Sequence, residues 1–229
     1  MAFPHILVIN LPERKDRWEE MEKDLEPWNV PFERVDAVKM SPGWKGCSLS
    51  HRKCIEIAKQ RKYPWVLILE DDCKLFPDTK ERFEKLLEIL WIMRYNWEIF
   101  TGGPTHIRNA RLLYKDPPLF QVESYSTQFV LVPEHTYDKI LNEINENTKV
   151  DVHYRNHFSA WCTLPHLATQ KTSYSDIEKI EKDYTLSFEN SHKFLWNVMN
   201  PRDYMGIAAA ALVVTSLTGL LYVITMRKK

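Results

Sequence analysis

The chain has 229 residues, enough for one sizeable domain with a good core and hardly two. Its 31 basic residues balance 31 acidic ones, so no positive excess points to nucleic acid. The four cysteines (Cys47, Cys54, Cys73, Cys162) have neither zinc spacing nor the density of a disulfide scaffold.

His5 to Leu11 (HILVINL) is apolar nearly throughout and predicts a strand buried on both faces. Pro12 and Glu13 open a helix whose Trp18, Met21 and Leu25 recur at helical spacing, and Pro27 closes it. Its first turn carries Arg14, Lys15, Asp16 and Arg17 beside the strand's carboxyl end. Cations there oppose the helix dipole. An anionic ligand would resolve that conflict; a solvated charged turn is the plain alternative. Phe32 to Val38 alternates as a further strand. Gly43 and Gly46 precede Cys47-Ser48-Leu49-Ser50-His51, where Ser48 can cap a helix running to about Lys62. Loop glycines before a helix N-terminus make a plausible phosphate cradle. With no P-loop lysine and no GxGxxG, kinase-like and dinucleotide-binding readings fall away. His51 sits where it could donate to a phosphate, although a lone His is more often a structural hydrogen bonder.

Trp65 to Asp72, WVLILEDD, is the stretch around which the rest is organised. Trp65 to Leu69 is too short for a helix and too apolar for an exposed loop, so it predicts a central strand. Glu70, Asp71 and Asp72 then stand together at its carboxyl end, where open α/β sheets place ligands. Three desolvated carboxylates need compensation. A hard divalent cation, Mg²⁺ or Mn²⁺, supplies it with the oxygen ligands such ions prefer. A solvated acidic turn is the bland reading.

Beyond it, Thr79 to Met93 predicts an amphipathic helix, Trp97 to Thr101 a strand, and Leu112–Tyr114, Phe120–Glu123 and Thr127–Val132 short strands. A helix is expected over His135 to Asn145. Asp151 and His153 lie close together ahead of a short helical piece, Trp161 to Gln170 is strand-like, Thr172 to Asp176 is a polar loop, and Lys182 to Asn200 reads as irregular. The alternation predicts an α/β fold: a mixed, mainly parallel sheet with helices on both faces.

Gly206 to Met226 is 21 residues without a charge, followed by Arg227-Lys228-Lys229. At about 1.5 Å per residue it spans roughly 30 Å, the thickness of a bilayer core. One C-terminal transmembrane helix, 205–226, is therefore expected, after a domain over 1–185 and a juxtamembrane linker over 186–204, with 227–229 as a basic tail. Phe3 to Leu11 is short and has no basic leader, so no signal peptide is expected. That favours a tail anchor with the main domain in the cytosol, supported weakly by the lack of an N-x-Ser/Thr acceptor. The basic tail argues the other way, because basic flanks usually stay cytoplasmic.

INLPERKDR (Ile9 to Arg17), GCSLSH (Gly46 to His51), LEDD (Leu69 to Asp72) and the later SYSTQFVLV, VDVHY and SYSDI stretches occur in one order. Together they resemble glycosyltransferase family 25, over roughly Ile6 to Ile177. The resemblance implies a GT-A-like fold, a nucleotide-sugar donor (UDP-galactose or UDP-glucose), a divalent metal, and inversion at the anomeric carbon. It implies that Asp72 ligates Mn²⁺ or Mg²⁺ directly, with Glu70 as a further ligand and Glu70 and Asp71 toward the ribose or metal waters. Asn10, Arg14 and Arg17 would contact the nucleotide, with His51 near the same pocket. Asp151 matches a family Asp and is the candidate base or additional ligand; His153 could instead complete the metal shell. Cys73 and Lys74 after the acids, the compact chain and the anchor depart from the family pattern. The acceptor stays open among a glycan, a glycolipid or a protein. Two other classes are a non-catalytic membrane-anchored protein on a degenerate transferase fold and a metal-dependent phosphohydrolase, which would need a second His/Asp cluster.

Overall fold

Two runs of branched and aromatic side chains, β1 (His5–Asn10) and β3 (Trp65–Glu70), pair in parallel as the second and third strands of an eight-stranded sheet. The computed structural model describes residues 2–174 and 181–201. The remaining strands are β2 (Phe32–Asp36), β5 (Ile99–Thr101), β6 (Thr105–Lys115), β7 (Pro118–Tyr125), β8 (Phe129–Pro133) and β9 (Ala160–Thr163), in the order β2-β1-β3-β8-β5-β9-β7-β6. Six strands run one way, and β7 and β8 run against them. The expected mixed, mainly parallel sheet is present. Beside it, β4 (Cys73–Leu75) pairs with β10 (Ala168–Gln170) in a two-stranded ribbon, and β11 (Ser173–Tyr174) pairs with β12 (Glu181–Lys182).

Helices cover both faces. On one, α1 (Lys15–Leu25) and α3 (Thr79–Ile92) bury Met21, Leu25, Phe83, Leu86 and Leu90 against Ile6, Val8, Leu67 and Leu69. On the other, α2 (Gly43–Gln60), α4 (Tyr137–Glu143) and α5 (Val150–His157) bury Ile55, Ala58, Ile140 and Tyr154 against Leu7, Ile9, Val66 and Ile68. Alternate residues of each central strand thus serve opposite cores, which is why these strands read as unbroken apolar runs. Each fully buried aliphatic side chain contributes about 1.5–3 kcal/mol.

Five expectations need correction. The loop-glycine cradle is absent, because α2 begins at Gly43 rather than Ser48. Gly46 lies inside the helix, where an added Cβ would stand 2.1 Å from Val38 O. Its small size allows the 38–40 segment to rest on the helix, and Ser50 Oγ accepts a 2.8 Å hydrogen bond from Val38 N. Ser48 is no cap: its hydroxyl donates to Trp44 O and accepts from Val150 N. Gly46→Ala is expected to lower stability by about 1–3 kcal/mol through this backbone clash, as read by urea unfolding; an unchanged midpoint would show that the segment yields freely.

The short strand expected at Leu112–Tyr114 is part of β6, an 11-residue edge strand whose ladder with β7 is interrupted by register shifts. Trp161 to Gln170 splits into β9 and β10 around a cis Leu164–Pro165 bond. The stretch expected to be irregular holds α6 (Thr185–Met199), which buries Leu195 in a third core with Phe120, Val122 and Cys162. No helix among the described residues is long and apolar enough to cross a membrane. The expected span at 205–226 lies outside the described residues, as does part of the SYSDI stretch.

Candidate active site

The carboxyl ends of β1, β2 and β3 open onto one cleft of about 950 Å³, lined among others by Asn10, Arg17, Lys39, Glu70, Asp71 and Asp72. The strand ends are knitted together: Asp71 N donates to Ile9 O at 3.1 Å, and Ala37 N to Asn10 O at 2.9 Å. The acids that break the apolar run of β3 therefore sit at the floor of the cleft. α2 brings its first residue, Gly43, to the wall, followed by Cys47 and Ser50.

The three acids have three different environments. Asp71 is clamped, its Oδ2 accepting from Asn10 Nδ2 at 2.8 Å and its Oδ1 from Arg17 Nη1 at 2.8 Å. Burial nevertheless raises its carboxyl above the ordinary value, against the pull of Arg17 and Asn10. Glu70 Oε1 accepts from Thr127 Oγ1 at 2.6 Å and lies 3.2 Å from His51 Nε2. Burial works to raise Glu70, but His51, Thr127 and Arg17 outweigh it and hold the group below the ordinary carboxylate range. Asp72 Oδ2 accepts from Gln170 Nε2 at 2.7 Å, while its buried Oδ1 has no hydrogen-bond partner among the described residues. Burial, reinforced by the charge of Glu70, pushes Asp72 up to about 7.

A cation fits here on that observation. An orphaned, buried carboxylate oxygen on an acid that lines the cleft and resists ionisation is the electrostatic gap a divalent ion fills. Asp72 and Glu70 would hold the ion, since both oxygens of Asp71 already serve Asn10 and Arg17. Hard oxygen donors suit Mg²⁺ or Mn²⁺. One donor set was not foreseen: Cys47 Sγ, a ring nitrogen of His51 and a Glu70 oxygen all lie within 4.8 Å of one another. Burial pushes the Cys47 thiol well above its usual range, with Glu70, Asp151 and Asp72 adding to the effect, so Cys47 is a neutral wall residue.

The other expected site residues are distributed more widely. Asn10 also donates to Arg14 O at 3.0 Å, while the Arg14 guanidinium lies on Asp16, at 2.8 and 3.0 Å. Asp151 sits in the first turn of α5, its Oδ1 accepting from Val152 N at 2.8 Å, and its charge reaches Cys47. His153 pairs with Glu143 Oε2 at 2.8 Å and stacks on His157, and is not among the residues that line the cleft. Thr127 and Gln170, which orient Glu70 and Asp72, were missed as individuals, although Thr127 lies within the SYSTQFVLV stretch.

Residues 39–147 match the model of glycosyltransferase family 25 (LPS biosynthesis protein). Over those residues the chain is similar to glycosyltransferase family 25. Procollagen galactosyltransferase 1-B of Xenopus laevis is 30% identical over 131 residues, covering 45% of this chain and 21% of that protein. A putative glycosyltransferase of Haemophilus influenzae is 25% identical over 181 residues, covering 66% of this chain and 61% of that protein. The chain thus spans about a fifth of the procollagen galactosyltransferase and less than two thirds of the bacterial relative. Among solved structures, a glycosyltransferase involved in the glycosylation of the major capsid of PBCV-1 aligns at TM-score 0.39 with 15% identity, over 68% of each chain, a likeness too slight to argue from.

Proposed function

We propose that this chain is a family 25 glycosyltransferase, metal-dependent and inverting, that moves a hexose, galactose or glucose, from a UDP-sugar to a glycan, glycolipid or protein acceptor. The observation that carries the reading is the cleft at the ends of β1 and β3, which sets the unpartnered Asp72 Oδ1 beside a fixed Arg17–Asp71–Asn10 network. The cleft's named charges include four acids, Glu13, Glu70, Asp71 and Asp72, against Arg17 and Lys39, so an anionic diphosphate is accommodated only together with a cation.

In this reading Asp72 and Glu70 hold Mn²⁺ or Mg²⁺. The bound cation supplies Lewis-acid neutralisation of the departing diphosphate. Arg17 and Asn10 hold Asp71 rigid at the floor of the nucleotide site. Thr127 and His51 fix Glu70 in one orientation. Arg14, at the N-cap position of α1, and Lys39, now paired with Glu13, would turn to the nucleotide phosphates. Asp151 takes the acceptor hydroxyl's proton as that oxygen attacks the anomeric carbon, the bond to the diphosphate breaks on the opposite face, and UDP leaves. His153 belongs to the outer support through Glu143. The C-terminal apolar stretch would hold the domain at a membrane as a single-pass anchor, with the domain on the cytosolic side.

The test is release of nucleoside diphosphate by the full-length protein from a panel of UDP-sugars, with and without Mn²⁺. Turnover of one UDP-sugar that requires the cation is the expected result. Failure of UDP to bind at all, with or without the cation, would remove the reading.

A further inference from the structure

A second cavity, of about 450 Å³, lies away from the acids, between the start of α3, the turn that follows β9, and α6. Phe76, Pro77, Pro165 and Phe188 give it apolar and aromatic walls, and Asp78, Arg82, His166 and His192 bring polar groups to it. His166 is 1% exposed, and beyond an approach to the Thr163 backbone its ring nitrogens have no hydrogen-bond partner among the described residues. Its ring is 4.7 Å from that of Phe188 and 5.7 Å from that of His192. Burial pushes His166 down to about 3, so the ring is neutral at physiological pH and offers one donor and one acceptor.

Leaving a buried donor or acceptor unmade costs about 1–3 kcal/mol, so native structures rarely keep a buried imidazole nitrogen orphaned without a use for it. The neighbouring polar groups are fixed in place. Arg82 donates from Nη1 to Pro165 O and His166 O, both at 2.9 Å, and pairs with Asp78 through Nε and Nη2 at 3.0 Å. Asp78 is exposed at the rim, with acceptor capacity toward solvent.

We infer that this cavity is a sugar-binding subsite that takes one neutral hexose ring of the acceptor glycan. Aromatic walls meet the apolar face of a sugar ring. A neutral imidazole and a carboxylate serve hydroxyls, which both donate and accept. Among the described residues no cluster of cations lines it for a phosphate, and the apolar walls carry too many polar groups for an alkyl chain. A pocket of this volume is within the range that binds small ligands.

The cavity is also tied to the acids. Phe76 follows Asp72 by four residues through β4, at most about 13 Å of extended chain. The partner strand β10 carries Gln170 to Asp72 at one end, and at the other Leu167 O accepts from Thr79 Oγ1 at the start of α3. A glycan seated on Phe76 and Phe188 therefore lies next to the far end of the ribbon that orients Asp72. The inference rests on the glycosyltransferase reading and adds the chemical class of the acceptor to it, a glycan rather than a bare peptide.

The experiment is saturation-transfer NMR on the full-length protein in a detergent without sugar headgroups, with methyl β-galactoside, methyl β-glucoside and N-acetylglucosamine as probes and UDP-Mn²⁺ binding measured on the same samples. At least one probe is expected to bind, with its dissociation constant raised tenfold or more by Phe188→Ala and by His166→Gln, and with UDP binding unchanged. Asp78→Asn, on an exposed position, repeats the test should His166→Gln not fold. Equal probe binding in wild type and in Phe188→Ala, or no probe binding in a protein that still binds UDP, overturns the subsite. Loss of UDP binding in the wild type would instead strike the donor reading.

Discussion

Asp72→Asn is expected to lower Mn²⁺-dependent release of UDP by a factor of 10² to 10³, about 2.7–4 kcal/mol, the size carried by a single electrostatic stabiliser at a reacting centre. The same substitution is expected to stabilise the metal-free fold. Asp72 ionises near 7 in the folded protein against an ordinary value of 3.8. As pH rises from 4 to 7, the unfolded chain releases this proton before the folded one does. Folding stability is therefore undiminished below about pH 4, falls through that window, and levels off above it. The difference at neutral pH is bounded at about 4 kcal/mol, with part of it shared with Glu70. An Asn has no proton to lose, so the variant's advantage should grow from pH 4 to 7 without divalent cation and shrink when Mn²⁺ is added to both proteins. Melting curves across that range, next to the turnover assay, check both halves. A variant that keeps wild-type turnover, or one less stable than wild type at pH 7 without cation, would remove Asp72 from the metal site.

How far the sequence could reach is set by how local each signal is. β1 and β3 were legible because a strand buried on both faces must be apolar along its length, and their order placed Glu70 to Asp72 at a sheet end. α2 was legible in existence but not at its start. Gly43 and Gly46 read as a loop by propensity, yet Gly46 is in the helix so that the segment carrying Val38 can lie against it at 2.1 Å from an imagined Cβ. That is a tertiary contact with no local trace. α6 was read as irregular because Leu195, Val198 and Met199 meet the outer part of the sheet while Leu186 and Trp196 remain exposed, which blurs the helical apolar stripe. The partners of the acids were hidden by distance along the chain. Thr127 reaches Glu70 across 57 residues and Gln170 reaches Asp72 across 98. An isolated Thr or Gln gives no sign of such a role before the fold brings it there.

The second large effect separates folding from binding at the Arg17–Asp71 pair. Their side chains are 12% and 11% exposed, and removing one member of so buried a pair strands the other charge. Arg17→Met alone is expected to destabilise the protein by about 3–5 kcal/mol. The pair itself is a poor source of stability, because burial raises Asp71 in spite of Arg17 and Asn10; its desolvation is not fully offset. The double variant Arg17→Met/Asp71→Asn should therefore return to within about 1 kcal/mol of wild type or exceed it, with Asn10 still able to donate to residue 71. UDP affinity should fall tenfold or more in the double variant all the same, since the cleft would have lost a cation placed against the helix dipole at the first turn of α1. Urea unfolding and UDP titration on the wild type, the single and the double variant give the comparison. If the double variant stays as unstable as Arg17→Met, the pair contributes to folding through contacts of its own. If it folds well and binds UDP unchanged, the two residues are not at the nucleotide. Recovery of stability without recovery of binding is the pattern of a charged pair kept at a sheet end for its ligand rather than for its fold.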